Sequence, residues 1–229
     1  MRAVVESVMK PPRLIALTLL ACLLTGCAAT LRPPEGLSDP APVIVLDHGR
    51  HNSLVLIPAE DRVVRYALGE WAWYADRQTG LRQAFSALLI DTPSALGRAE
   101  LRGTAPACWP VQVGSEIRSV LLFSAERSEV VRLVDEIDAH FLDPDLPPEF
   151  RPDLNLTFVP GPQPYRFGFN SNHQVVSWLE SLGFTVSGPV AFGKLRPADP
   201  AARQILAELQ SSASAASSAC SASIHSPSS

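Results

Sequence analysis

The chain has 229 residues, of which 46% are apolar and 18% charged, with a net charge of −4, enough apolar material for one globular core. An acidic balance is a poor match for a polyanionic backbone, and there is no basic stripe with interleaved aromatics, so nucleic-acid binding is excluded. Neither Cys22, Cys27, Cys108 and Cys220 nor the histidines show zinc-site spacing, and neither a metal nor any other cofactor is expected.

Arg2, Lys10 and Arg13 precede an apolar stretch over residues 14–24, and Thr25, Gly26 and Cys27 follow it. Charge, apolar core and small residues in that order make the secretory pattern. The stretch is far shorter than the ~20 residues that a spanning helix needs. Leu24, Thr25, Gly26 and Cys27 resemble the lipobox of bacterial lipoproteins, which implies a signal peptide over residues 1–26 and lipidation of Cys27. The expected partner is thus a membrane, held through the lipid anchor. Ala28 follows instead of an aspartate; by resemblance to sorting in enteric bacteria, that favours the outer membrane, facing the periplasm. Removing the signal takes away three basic residues and Glu6, which moves the net charge from −4 to −6.

Residues 27–42 hold Pro33, Pro34, Pro40 and Pro42 and few large apolar groups, the composition of an extended tether. Residues 211–229 are mostly Ser and Ala and are expected to be disordered. Residues 43–210 remain as one globular domain. Within it, residues 43–46 and 54–57 are apolar runs of buried strands, joined through a polar loop or strand end. Residues 63–68 and 71–74 are strand-like, residues 81–89 helical, and residues 98–102 and 117–123 strands. Ser124 offers an N-cap to a helix on which Val130, Leu133, Val134, Ile137 and Phe141 recur at three and four. A proline-punctuated stretch over residues 143–164 suits either the edge of a cleft or an irregular surface excursion. Asn170 or Ser171 caps the next helix, with Val175, Val176, Leu179 and Leu182 on its apolar face and Gly183 at its end. Residues 201–209 are a last helical candidate. The mixture predicts α+β, an antiparallel sheet with packed helices. Cys108 and Cys220 could form a disulfide in the envelope, but Cys220 lies in the tail and no structural bond is expected.

Three segments concentrate chemistry: residues 48–52, with His48 and His51; residues 69–74, with Glu70 and Trp71; and residues 170–173, with Ser171 and His173. A nucleophile at a helix start, a histidine base and an acid to orient it would form a triad. Each residue type also has an ordinary structural role. Asn170 or Ser171 can be a cap, His51 a bonded strand-end histidine, Glu70 a solvated turn charge, and Trp71, Trp73, Tyr74 and Trp178 packing.

Residues 48–58, 69–74, 92–96, 117–141 and 169–183 resemble, in order, an uncharacterised family of bacterial envelope proteins. That family's pattern is Gly-x-His-Thr-x-Leu-Val-Leu, then Gly-Asp-x-Gly-Phe-Tyr, then Thr-Cys-Asn-Thr-Trp ahead of a helix. The family is in turn similar to the permuted, papain-like NlpC-type hydrolases, a group that includes lecithin:retinol acyltransferase. Carried over, the resemblance makes His51 the base, Glu70 the acid that orients it, and Ser171 the residue in the nucleophile position. His173 is a secondary candidate base, from the Asn-Cys-x-His order of the acyltransferase relatives. The departure is Ser171, which stands where those proteins have cysteine. A thiol is lowered towards thiolate at a helix start, whereas a hydroxyl must lose its proton during attack. The resemblance therefore favours a catalytically silent relative, a pseudoenzyme that binds peptidoglycan, lipid or a protein of the envelope. The alternative is an active serine-variant hydrolase or acyltransferase acting on an amide or ester.

Overall fold

Uninterrupted apolar runs such as residues 43–46 and 54–57 suit a sheet covered on both faces, and the chain folds that way. The computed structural model describes residues 28–74, 91–104, 108–166, 168–191 and 193–205. Its strands are β1 (Ala29–Arg32), β2 (Pro40–Asp47), β3 (Asn52–Ala59), β4 (Arg62–Glu70), β5 (Ser94–Leu101), β6 (Ser119–Glu126), β7 (Glu149–Arg151), β8 (Leu156–Pro160), β9 (Thr185–Ser187), β10 (Leu195–Pro197) and β11 (Arg203–Ile205). Two single helical turns, α1 (Trp71–Tyr74) and α2 (Pro110–Val113), accompany two full helices, α3 (Arg127–Phe141) and α4 (Ser171–Ser181). None of the described helices is long and apolar enough to cross a membrane.

An eight-stranded antiparallel sheet runs β11-β6-β2-β3-β4-β5-β8-β7. Side chains alternate across it. Val43, Val45, Leu54, Leu56, Val64, Tyr66 and Leu68 pack with Leu133, Ile137, Val175 and Leu179 of α3 and α4. Ile44, Leu46, Val55, Ile57 and Val63 form a second cluster around Trp109, Val113 and Ile117. The class is α+β, built mostly of antiparallel strands. The apolar face read for α3 is buried as Val130, Leu133, Val134 and Ile137, with Phe141 half-buried against the same core.

Several expectations are corrected. Residues 28–42 are not a free tether, because β1 is the middle strand of a separate sheet, β10-β1-β9, and Ala29 and Leu31 are wholly buried. Pro40 to Pro42 already belong to β2, paired with β6. The strand before α3 runs on to Glu126, since Ala125 and Glu126 still pair with Ala41 and Pro40, so Ser124 caps nothing and the helix starts at Arg127. Residues 71–74 form a helical turn, with the Trp71 N–H bonded to the Pro93 carbonyl. Residues 203–205 pair with β6 as a strand and are not helical. The proline-punctuated stretch contains the β7–β8 hairpin, whose Leu156, Phe158 and Val159 are buried. Cys108 is disulfide-bonded, contrary to expectation, and its partner lies outside the described residues. Cys27 with the signal, the helix expected over residues 81–89 and the tail also lie outside them.

Candidate functional site

The C-terminal ends of β2 and β4 and the first residues of β3, β5 and α4 meet at one end of the large sheet. The Asn170 side chain accepts from the N–H groups of Asn172 (3.0 Å) and His173 (3.3 Å), and the His173 imidazole accepts from the Asn170 N–H. This capping box satisfies otherwise orphaned donors. Asn170 is thus the cap, Ser171 the first helical residue, and His173 the closing member of the box.

Ser171 is only 3% exposed. The Tyr165 phenol is its polar neighbour: burial raises the phenol's pKa, the Ser171 hydroxyl and N–H lower it, and the nearby Glu70 charge adds to the rise. Tyr165 is fixed by reciprocal backbone bonds with Thr92, at 3.0 and 2.7 Å. Glu70, the last residue of β4, is buried, and burial pushes its carboxyl above the usual range while a bond from the Thr92 side chain pulls the other way. Glu70, Thr92, Tyr165 and Ser171 therefore form one contiguous group.

Asn52 begins β3 and donates through Nδ2 to Asn172 Oδ1 (2.8 Å) and the Gly193 carbonyl (2.9 Å), while Asn172 Nδ2 donates to the Arg50 carbonyl (3.3 Å). Gly193 is needed here: its φ is +78°, and a Cβ would stand 2.6 Å from the Arg50 oxygen. Asn52 Oδ1 is buried and, among the described residues, has no hydrogen-bond partner.

A second polar group occupies the Trp109 face. His48 Nδ1 lies 2.7 Å from the Glu116 carbonyl and Nε2 lies 2.9 Å from Ser53 Oγ. A carbonyl only accepts, so Nδ1 carries the proton and Nε2 accepts from Ser53. Arg65 Nε donates to the same hydroxyl (3.2 Å) and Nη1 to the Val113 carbonyl (2.9 Å). Burial, reinforced by the Arg65 charge, depresses the His48 pKa to about 3. His51 immediately precedes β3 and lines a small cavity with His48, Ser53 and Arg65, its ring 5.8 Å from that of His48. Burial lowers its pKa, Arg65 and Arg50 add to this, and Asp47 opposes them.

Of the three residues nominated from sequence, Glu70 and Ser171 are thus brought together through Thr92 and Tyr165. His51 stands with the His48 and Arg65 group. Asn52 and Thr92 lay within segments already singled out, but neither was nominated for a role, and Tyr165 carried no motif that would have marked it. Among the described residues no three His, Cys, Asp or Glu side chains converge as a metal set. Beside α4 a cleft of about 340 Å³ has Leu96, Leu133, Ile137, Phe169 and Trp178 as its apolar lining and Gln163, Gln174 and His140 among its polar groups. A larger concavity of about 720 Å³ lies at the other end of β3, and its one arginine, Arg127, is committed to Asp39 and to the carbonyls of Pro40 and Pro58. No family model, curated protein or solved structure matches the chain.

Proposed function

We propose that the chain is a lipid-anchored protein of the bacterial cell envelope, with a permuted papain-like domain of NlpC type that no longer hydrolyses and binds an envelope ligand. In this reading Cys27 holds the lipid once residues 1–26 are removed, and the domain faces the periplasm from the outer membrane. The observation that carries the silent assignment is the setting of Ser171, which is buried with the Tyr165 phenol as its polar neighbour. A serine nucleophile needs a base within hydrogen-bond reach to take its proton. A phenol whose pKa is raised stays protonated at neutral pH and cannot serve. His173 is engaged in the cap, and both nitrogens of His48 are occupied by Ser53 and Glu116. The cleft beside α4 supports ligand binding, since its volume falls within the ~300–1,000 Å³ of small-molecule pockets and its lining combines apolar side chains such as Leu133 and Trp178 with as many polar ones, among them Glu136, His140 and Gln174.

The experiment is hydrolysis by the purified mature protein of a p-nitrophenyl ester and of a peptidoglycan-derived amide. The expected rate equals that of buffer for both and is unchanged in Ser171→Ala. Turnover that Ser171→Ala abolishes would instead establish the serine-variant hydrolase or acyltransferase.

A further inference from the structure

The first described residues leave no slack between the proposed anchor and the domain. Ala29 and Leu31 are wholly buried, and the Ala29 N–H donates to the Lys194 carbonyl at 2.9 Å. Consecutive Cα atoms are 3.8 Å apart. Cys27 can therefore stand no more than about 8 Å from the Ala29 Cα.

That point is also the site's end of the molecule. Gly193, next to Lys194, accepts from Asn52, and Asn170 Nδ2 donates to the Ala191 carbonyl at 3.2 Å. Charge is divided along the same axis. Leu31 and Leu195 face the core, so alternation turns Arg32, Lys194 and Arg196 outward, and all three are exposed. No acidic residue lies on β1, β9 or β10. At the opposite end of β3, about 23 Å away for a strand of that length, the exposed carboxylates are Asp39, Glu60 and Asp61, of which Asp39 is paired with Arg127. In a chain whose mature net charge is negative, these three outward bases stand on the sheet that holds the first described residues after Cys27, with the exposed carboxylates Glu35 and Asp199 in the flanking loops.

We propose that the domain is docked rather than tethered. Its β10-β1-β9 sheet rests on the anionic phospholipid headgroups into which the Cys27 acyl chains insert, and the Asn52–Asn172 end of the site is turned to the bilayer. The proposal rests on Cys27 being lipidated.

The test uses the lipidated full chain in vesicles of phosphatidylethanolamine and phosphatidylglycerol whose headgroups bear a quencher. One fluorophore is placed on Ser187→Cys, in β9, and in a second preparation on Asp61→Cys, each in a chain that also carries Cys108→Ser and Cys220→Ser so that a single thiol takes the label. Quenching of the β9 label is expected to be several-fold stronger than that of the Asp61 label. A long Gly-Ser insertion after Cys27 combined with Lys194→Glu and Arg196→Glu should remove the difference. Flotation with the vesicles reads the anchor separately. A chain that does not float lacks the lipid, and the proposal falls with the lipoprotein assignment. A chain that floats while both labels quench alike overturns docking and leaves the anchor standing.

Discussion

His48 shows what burial does to a single side chain whose hydrogen bonds are all filled. Its pKa is about 3 in the fold, against an ordinary value of 6.5, because burial and the Arg65 charge both disfavour the imidazolium. A depressed pKa means that the unfolded chain binds the proton more tightly. The stabilisation from neutral His48 is therefore complete above about pH 6.5 and is lost as the pH falls from there towards 3, at up to about 1.4 kcal/mol per pH unit. His51, shifted in the same direction, adds to the loss. Urea denaturation between pH 7.5 and 4 should show this decline, and His48→Gln should flatten it. A wild-type stability that holds constant over that range would refute the buried neutral assignment. The cluster of His48, Gly49, Arg50, His51 and Asn52 was conspicuous in the sequence. Which histidine is buried, and which nitrogen bears the proton, depends on Glu116, Ser53 and Arg65, and no local pattern joins those residues.

Between elements, α3 is fastened to β4 and β5 through one carboxylate. Asp138 accepts from Arg62 (2.7 Å), from Arg98 (2.7 and 3.1 Å) and from the Tyr66 hydroxyl (2.6 Å). Burial would raise its pKa, but the bonds from Arg98 and Tyr66 and the charges of Arg98 and Arg62 outweigh burial and hold it below the usual range. Its contribution is thus present above the ordinary carboxylate pKa and lost as the pH falls through the lowered value. Asp138→Ala should cost about 2–3 kcal/mol in chemical denaturation at pH 7, because it strands the Tyr66 hydroxyl and one half-buried arginine; the partial exposure of Arg62 and Arg98 argues against a larger figure. Asp138→Asn, which keeps an acceptor for Tyr66, should lose less. The apolar face of α3 was legible because its period is written within fifteen residues. Its point of entry was not, since the pairing of Ala125 and Glu126 with Ala41 and Pro40 decides where the strand stops.

For the molecule as a whole, β1 matters most, because it ties residues 29–32 to segments remote in the sequence, residues 185–187 and 195–197. Its register with Leu195, Arg196 and Pro197 on one side and with Thr185, Val186 and Ser187 on the other encloses Leu31 completely. Leu31→Ala should therefore destabilise the protein by about 2–5 kcal/mol, the cost of a large-to-small change in a packed core. A tether residue would change stability by less than about 0.5 kcal/mol. Denaturation of the variant beside Thr30→Ala, a half-exposed neighbour, separates the two cases.

Strands β2 and β3 and helices α3 and α4 were determined by the sequence alone, along with the Asn170 capping segment and the Gly183 stop, because each is specified by residues within a turn or two of one another. The α+β class followed from their mixture. Only the tertiary structure decided that residues 29–32 and 203–205 are strands, because neither segment has a period of its own and each takes its hydrogen bonds from distant partners. It likewise decided that Ser171 meets Tyr165 and that His51 joins His48 and Arg65. In a sheet, a shift of one residue changes the face on which a side chain stands, and the pairing that sets this register is made by chain remote in sequence.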